Sequence, residues 1–166
     1  SDRLQGDAVR NPSVPDGEPI KRRLQGDLPV LDAKTAAQAI DEDATVLTSG
    51  FGSVGYPKEI PLALADSERA LNLTLVHSGN VGDEIDVDLI DSGAIARRFS
   101  YQSSRVARNL TNNRDVAFSD RNASSIGDEV QHGGMVDADV AVVEAVAVGD
   151  GWFVPSTSVG QVPAFV

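Results

Sequence analysis

The sequence predicts an α/β fold: an open, mostly parallel Rossmann-like sheet with helices on both faces, ending in a hairpin. Short β-branched segments alternate with amphipathic helical segments through most of the 166 residues, the arrangement that produces parallel sheets. Several strand segments end in glycine or small polar residues, and DADVAVVEAVAV is apolar enough for a strand covered on both faces. A hydrophobic content of 41% at this length fits one domain.

The amino-terminal segment differs from the rest of the chain. Residues 1–30 mix Gly, Pro, Asp and Arg without an apolar period, which predicts a flexible leader. The pentapeptide RLQGD occurs twice in this segment, but a structural repeat would run through the domain. We therefore place a leader over residues 1–30 and one α/β domain over residues 31–166.

The first half of the domain contains two predicted strand and helix pairs. Asp32 is placed to cap a helix over AKTAAQAI, whose apolar residues share one face, and the strand ATVLTSG follows. Pro57 fits the first turn of a helix that runs to about Ser67. The second strand, LNLTLVHSG, again ends in small polar residues.

The second half continues the alternation of helices and strands. It contains a helix over DEIDVDLIDSGA closed by Gly93, a strand over ARRFSYQS, a helix over SSRVARNLTNN and a strand over DVAFSD. A weak helix over SIGDEVQHGGM is interrupted by Gly133 and Gly134. The strand DADVAVVEAVAV turns at residues 149–151 into WFVPSTSVG, which predicts the terminal hairpin.

Composition excludes several classes of function. The chain has no cysteine, which excludes disulfides, thiol nucleophiles and Cys-ligated metals. Its two histidines, His77 and His132, lack metal-ligand spacing, so we predict no metal site. No run approaches the ~20 apolar residues of a membrane helix, and the first thirty residues lack the pattern of a signal peptide. We expect a cytoplasmic protein without membrane contact.

The charge balance is strongly acidic. The 25 acidic residues against 14 basic ones give a formal charge of −11, which repels nucleic acid and anionic membrane surfaces. Aspartate far outnumbers glutamate, and arginine far outnumbers lysine, a bias that resembles the proteins of salt-accumulating halophiles. An ordinary acidic mesophile protein is the alternative. The halophile interpretation expects structure to be lost at low salt, where the excess charges repel without screening.

The stretch SGFGSVG contains G-x-G-x-x-G in Gly50, Gly52 and Gly55, at the end of a predicted strand. Ligands collect at such strand ends in open parallel sheets. A dinucleotide site would need an acidic residue near the end of the second strand, but that strand ends in LVHSGNVG. A non-catalytic nucleotide-binding module and a simple tight turn remain alternatives to another anionic ligand.

The surrounding motifs bear a more specific resemblance. The segments GYPKEIPLALA, VHSGNVGDEID, ARRFSYQS, VVEAVAV and GWFVPSTSVG follow in order along the chain. In order and spacing they resemble the amino-terminal half of the acetyl-CoA hydrolase and acetate or succinate CoA-transferase family. The resemblance covers about residues 30–166. The family often has Thr at the middle glycine position, so the apparent dinucleotide signature looks coincidental.

The resemblance implies an enzyme that transfers CoA between small carboxylic acids such as acetate and succinate, or hydrolyses acetyl-CoA. In this family a glutamate carboxylate attacks the acyl-CoA thioester and becomes a glutamyl-CoA thioester through a mixed anhydride. That glutamate belongs to the family's second half, so the resemblance implies no catalytic residue in this chain and no activity for it alone. It implies CoA and acetyl-CoA as substrates, no permanently bound cofactor, and a missing C-terminal α/β half or second subunit as partner. The full-length enzyme is expected to be a homo-oligomer.

The same resemblance assigns site residues by position. Asn80 stands where the family often has Ser, and Ser103 lies near a family Thr, both beside the pocket for the small acid. Loop capping is the alternative role for both. Lys58 is placed to meet a phosphate of CoA or a surface carboxylate. The predicted substrate-binding residues are Gly50, Phe51, Gly52, Ser53, Val54, Gly55, Ser78, Gly79, Asn80, Gln102, Ser103, Ser158, Val159 and Gly160.

Four further ionisable residues can be interpreted from the sequence. Glu144 lies in an apolar segment and is expected to pair with a buried donor or face a neighbouring domain rather than act as a nucleophile. His77 at a strand end is expected to be a satisfied hydrogen-bonding residue. Arg97 and Arg98 offer a basic pair for CoA phosphates, but adjacent strand residues face opposite sides, so only one of them can point inward.

Overall fold

The computed structural model describes residues 23–24, 26–79, 81–102, 104–134 and 137–165. Its strands are β1 (Arg23–Leu24), β2 (Thr45–Thr48), β3 (Leu73–His77), β4 (Ile95–Ser100), β5 (Ala117–Asp120), β6 (Val140–Val142), β7 (Ala145–Gly149) and β8 (Trp152–Pro155). Its α-helices are α1 (Ala33–Gln38), α2 (Glu59–Ala65), α3 (Leu89–Asp91), α4 (Arg105–Asn113) and α5 (Ile126–Gln131). A π-helical turn, Glu84–Asp88, runs into α3, and a 3-10 turn covers Val162–Ala164.

The main sheet has five strands in the order β5-β4-β3-β2-β6, and every neighbouring pair is parallel. The chain builds the sheet outward from β2 to β5 and then returns to place β6 on the other side of β2. This confirms the predicted open parallel sheet. A second sheet has the order β1-β7-β8, in which β7 and β8 form the predicted antiparallel hairpin.

Helices cover both faces of the main sheet, as the sequence predicts. Successive strand residues point to opposite faces, and the two faces hold separate clusters of buried apolar side chains. One cluster joins Val46 and Leu75 to side chains of α1, α2 and α3. The other joins Leu47 and Val76 to Ile126 of α5. Burial of these apolar surfaces stabilises the sheet and fixes which strand ends lie side by side.

Local signals explain where the helices begin. The side chain of Asp32 accepts a hydrogen bond from the backbone N–H of Thr35 at 2.7 Å, which confirms the predicted cap. The expectation for Pro57 needs a correction, because α2 begins at Glu59 and Pro57 precedes it. The proline in the first turn is Pro61, at a position where a helix leaves the N–H without an internal partner.

The apolar segment DADVAVVEAVAV is not one doubly covered strand, so that prediction is wrong. It divides into β6, at the edge of the main sheet, and β7, in the small sheet, where Val146 is 55% exposed. The break falls at Glu144, whose backbone N–H donates to Ser49 Oγ at 2.9 Å rather than to a neighbouring strand. A backbone bond from Ser156 N to Glu144 O at 3.1 Å then closes the base of the hairpin.

Most of the predicted leader lies outside the described residues. Within it, Arg23–Leu24 forms β1 and pairs in parallel with Ala147 and Val148 of β7. Among the described residues, no helix combines the length and apolarity needed to cross a bilayer. The same residues contain no group of three or more His, Asp or Glu side chains that could hold a metal ion.

Candidate functional site

Most of the predicted site residues that the structure describes lie in loops at the carboxyl ends of the central strands β2 and β3. The loop after β2 and the loop after β3 are joined by hydrogen bonds from Ser78 Oγ to the carbonyl of Gly50 at 3.3 Å and from Ser53 Oγ to the carbonyl of Val81 at 3.1 Å. These bonds hold the two loops together along one edge of the sheet, where parallel α/β folds bind ligands.

The segment after β8 returns to the same edge. A Cβ placed on Gly55 would lie 2.6 Å from the backbone nitrogen of Ser158. A Cβ placed on Gly160 would lie 3.2 Å from Ser78 Oγ and 3.5 Å from the carbonyl oxygen of Gly50. The structure therefore brings three segments into contact although they are far apart in sequence. They are the loop SGFGSVG (49–55), called the glycine loop, the loop that follows β3, called the β3 loop, and the segment STSVG (156–160).

The three glycines of SGFGSVG differ in why the structure needs a glycine at each position. Gly50 and Gly55 have φ values of 112° and 66°, in the left-handed region, and each is closely approached by another part of the chain. Gly52 has φ 64°, but a Cβ there would meet nothing within 4 Å. A bridge between Phe51 and Val54 closes the turn, with a 3.2 Å bond from Phe51 N to Val54 O.

This geometry gives a dinucleotide little support. The helix α2 begins four residues after the last glycine, with Glu59 in its first turn, where an anionic ligand would need to lie. Two of the three glycines are already required by contacts within the chain.

The tip of the glycine loop faces solvent. Phe51 and Val54 are 48% and 49% exposed, and Val159 of the STSVG segment is 49% exposed. Ser78 and Gly79 are buried behind them, and a Cβ on Gly79 would lie 2.7 Å from the Phe51 ring. The exposed side chains of Phe51, Val54 and Val159 thus form an apolar rim, and the buried Ser78 and Gly79 lie directly behind it.

The remaining predicted loop residues are only partly described. Gln102 is half-buried, and its Nε2 donates to the carbonyl of Ser104 at 3.3 Å. Asn80 and Ser103, the two residues assigned to the small-acid pocket, lie outside the described residues. Their role stays a prediction.

A buried polar cluster lies beneath the β3 loop. The imidazole Nδ1 of His77 bonds the carbonyl oxygen of Gly79, and its Nε2 accepts from Arg98 Nε at 3.2 Å and Nη2 at 2.9 Å. Arg98 Nη2 also binds Asp86 Oδ1, and Asp86 Oδ2 accepts the N–H of Val81 at 3.0 Å. Burial, together with the charge of Arg98, lowers the pKa of His77 well below its usual range.

This cluster decides between the two adjacent arginines. Arg98 is fully buried and engaged by Asp86 and His77, so it is not available to a phosphate of CoA. Arg97 is exposed, and its Nε donates to Thr74 Oγ1 at 3.1 Å. The expected satisfied role of His77 matches these contacts. Sequence reasoning missed Asp86, although its spacing to Leu89 and Ile90 places a carboxylate on the apolar helical face.

Lys58 and Glu144 form an ion pair beside the edge. Their Nζ and Oε2 atoms are 2.9 Å apart, and Lys58 also lies 4.1 Å from the centre of the Tyr56 ring. The hydroxyl of Ser156 donates to the other oxygen of Glu144, and this bond is the main cause that lowers the pKa of Glu144; burial opposes it, and the hydrogen bond and charge of Lys58 lower the pKa further. Lys58 thus meets a carboxylate, one of its two predicted partners, and Glu144 is stabilised as an anion.

The phenol of Tyr56 lies on the same side of the glycine loop. Its Oη donates to Glu84 Oε2 at 2.9 Å, and a Cβ on Gly82 would overlap that hydroxyl. Burial, with the hydrogen bond and charge of Glu84, raises the pKa of Tyr56 to about 12. Tyr56 therefore stays a neutral donor that ties the glycine loop to the π-helical turn.

An open parallel sheet with linked glycine and serine loops at its carboxyl edge defines a Rossmann-like α/β domain, a fold that binds ligands at this edge in other proteins. A family model described as the acetyl-CoA hydrolase/transferase N-terminal domain matches residues 22–166. The chain belongs to this family. The match begins within the predicted leader.

Curated relatives agree with this assignment. The chain is 33% identical to succinyl-CoA:acetate CoA-transferase of Clostridium kluyveri over 150 residues, which are 87% of this chain and 28% of that protein. It is 30% identical to propanoyl-CoA:succinate CoA transferase of Escherichia coli, over 82% of this chain and 29% of that protein. Acetyl-CoA hydrolase of Schizosaccharomyces pombe is also 30% identical, over 69% of this chain and 25% of that protein. The chain thus spans well under a third of the length of these relatives.

A solved structure shares the fold. A variant of the decarboxylase AibA/AibB superposes with a TM-score of 0.53 at 14% identity, over 68% of this chain and 45% of that one. At this identity the likeness concerns the fold alone.

Proposed function

We propose that this domain supplies the acid-binding wall and part of the CoA cleft of an enzyme that transfers CoA between small carboxylic acids or hydrolyses acetyl-CoA. The observation that carries the proposal is the open edge where the glycine loop, the β3 loop and the STSVG segment meet. The names of the relatives support CoA esters of acetate, propanoate and succinate as the substrate class.

The chemistry of acyl transfer explains why such an edge is useful. Each tetrahedral intermediate on the thioester or anhydride carbonyl carries an oxyanion, which needs preset hydrogen-bond donors in a site shielded from water. The exposed backbone of Gly52 to Val54 lets a substrate come close, and the apolar rim excludes water once it is covered.

The attacking carboxylate is proposed to come from outside these 166 residues. Glu144 and Glu84, which lie beside the edge, are held by Lys58 and Ser156 and by Tyr56 respectively. A carboxylate whose oxygens are engaged in such bonds is a weaker nucleophile than a free one. The glutamyl-CoA thioester would form on a glutamate of the remaining enzyme, and the 166-residue chain by itself would not transfer CoA.

The test is an assay of a family-length polypeptide that carries this domain. Acetyl-CoA and succinate should give succinyl-CoA, or acetyl-CoA in water should release CoA. In Val54→Trp the indole would cover the loop tip, and we expect the KM for acyl-CoA to rise at least about tenfold, the size of one lost hydrogen-bond contact. Val146→Trp is the matched control, because Val146 is similarly exposed at 55% but lies on the hairpin.

Two results would count against the proposal. The first is an absence of both transfer and hydrolysis in a folded wild-type enzyme, tested at low and at molar salt. The second is an equal KM change in the two tryptophan variants, which would mean that the glycine-loop tip does not lie at the cleft.

A further inference from the structure

We propose that Arg98 is a positioning residue for the acid-binding loop: through His77 and Asp86 it fixes the backbone on both sides of position 80. The inference rests on the proposed function, in which the loop after β3 contacts the small acid. It adds a fully buried arginine that touches no substrate and acts through two other side chains.

The cluster joins three elements of the fold. Arg98 comes from β4, His77 is the last residue of β3, and Asp86 lies in the π-helical turn. Their exposed fractions are 0%, 0% and 2%. Because β3 and β4 are neighbouring parallel strands, the guanidinium of Arg98 lies beneath the carboxyl end of β3, where it contacts both His77 and Asp86.

Both ends of the hydrogen-bond chain terminate on the same short loop. At one end, the imidazole binds the carbonyl of Gly79, and at the other, Asp86 Oδ2 accepts the N–H of Val81 at 3.0 Å. Arg98 contacts Asp86 Oδ1 and His77 Nε2 with one guanidinium fork. The carbonyl of Gly79 and the N–H of Val81 are therefore held by His77 and Asp86, and Arg98 links these two side chains.

The bonding pattern also sets the tautomer of His77. A carbonyl oxygen only accepts, so Nδ1 carries the proton that bonds Gly79, and Nε2 is left as the acceptor for Arg98. Removing Arg98 would free the ring to rotate or to change tautomer, and the carbonyl of Gly79 would lose its fixed donor.

Stability alone does not account for this cluster. A buried ion pair is often no more stabilising than apolar residues of similar volume, and on the neighbouring strand β3 both Leu73 and Leu75, the register partner of Arg98, are fully buried leucines. A guanidinium differs from an apolar side chain in its directional fork, which specifies one loop geometry. The position beneath a predicted substrate loop gives that specificity a use.

The decisive variant is Arg98→Met combined with Asp86→Leu. It removes both buried charges together, so the melting temperature should stay within about 5 °C of wild type. The N–H of Val81 loses its acceptor, and its hydrogen exchange in the 166-residue chain should accelerate roughly 10- to 100-fold. In the family-length enzyme, the KM for the acceptor acid should rise at least about tenfold while the KM for acyl-CoA is unchanged.

The matched control is Arg114→Met combined with Asp91→Leu, an ion pair of the same residue types at 2.6 Å that is about half exposed. It should change neither the Val81 exchange rate nor either KM. If the buried double variant does not fold, Arg98→Lys takes its place. A lysine can keep Asp86 paired but lacks the fork to His77, so the acid KM should still rise several-fold.

The outcomes separate this inference from the proposed function. Unchanged Val81 exchange in the buried double variant overturns the inference, and so does fast exchange with an unchanged acid KM. If the wild-type enzyme neither transfers CoA nor hydrolyses acetyl-CoA, the proposed function fails, and so does the part of the inference that concerns the KM for the acid. The exchange rate would still decide whether Arg98 holds the loop.

Discussion

Replacing Gly55 by alanine should destabilise the chain much more than replacing Gly52, although both glycines have nearly the same backbone conformation. Their φ values are 66° and 64°. A Cβ on Gly55 would lie 2.6 Å from both the nitrogen and the Cβ of Ser158, whereas a Cβ on Gly52 would meet no atom within 4 Å. The two variants therefore share the left-handed penalty and differ only in the contact.

The magnitudes follow from these two terms. Alanine in the left-handed region costs about 1 kcal/mol, so Gly52→Ala should lower the free energy of unfolding by about that amount. Gly55→Ala adds an overpacked contact with backbone, which costs a further 1–3 kcal/mol or so, giving about 3 kcal/mol in all. For a chain of this length these values correspond to melting temperatures lowered by about 3 °C and about 9 °C.

Thermal and urea unfolding of the 166-residue chain, followed by circular dichroism, would measure both differences. Unfolding must be reversible and cooperative for the comparison to hold. Equal destabilisation by the two substitutions would show that the STSVG segment is not packed on the glycine loop, and the site would lose one of its three loops.

Three other predictions concern ionisable groups near the same edge. The fold lowers the pKa of His77, so the neutral imidazole contributes fully to stability above about pH 6.5. As the pH falls below that value, this contribution is lost by up to about 1.4 kcal/mol per pH unit. Urea titrations of His77→Gln should therefore show a weaker loss of stability at low pH. The pKa of Tyr56, raised to about 12, should appear in an ultraviolet titration and fall in Glu84→Gln. Its stabilising effect is fully present below pH 10.0 and is lost as the pH rises from there through the folded value of about 12. Glu144→Gln should leave CoA transfer by the family-length enzyme within a few-fold of wild type, since loss of a nucleophile would abolish it.

The alternation of elements could be predicted because each helix and strand has a local cause. Asp32 caps α1, Gly93 ends the helical segment with φ 80°, and residues 149–151 turn the hairpin, all as the sequence indicates. The division of DADVAVVEAVAV could not be predicted in this way. An apolar run does not show at which residue the chain leaves one sheet for another, and the break depends on a bond between Glu144 and the distant Ser49.

The buried cluster could be predicted only in part. Alternation along β4 correctly indicates that one of Arg97 and Arg98 points inward. It does not indicate which one, because the pairing of β3 with β4 is irregular between Leu73 and Thr74. As a result, Ile95 and Arg98, three residues apart, are both buried. The partner Asp86 comes from the π-helical turn, and its approach to Arg98 depends on how that turn packs over the sheet.

The contacts at the edge divide its residues into those that build the site and those left for a ligand. Gly50 and Gly55 are required by packing, and Ser78 by its bond to the glycine loop. The residues from Phe51 to Val54 are exposed even though Ser53 Oγ bonds the carbonyl of Val81 and Phe51 N bonds Val54 O, and in the proposed function this exposed tip meets the thioester or the rest of the enzyme. In the proposed function, the choice of acid then depends on the loop after β3. If Arg98 holds that loop through buried contacts, as we propose, a change in the length or side chains of the loop would alter acid preference without disturbing the sheet.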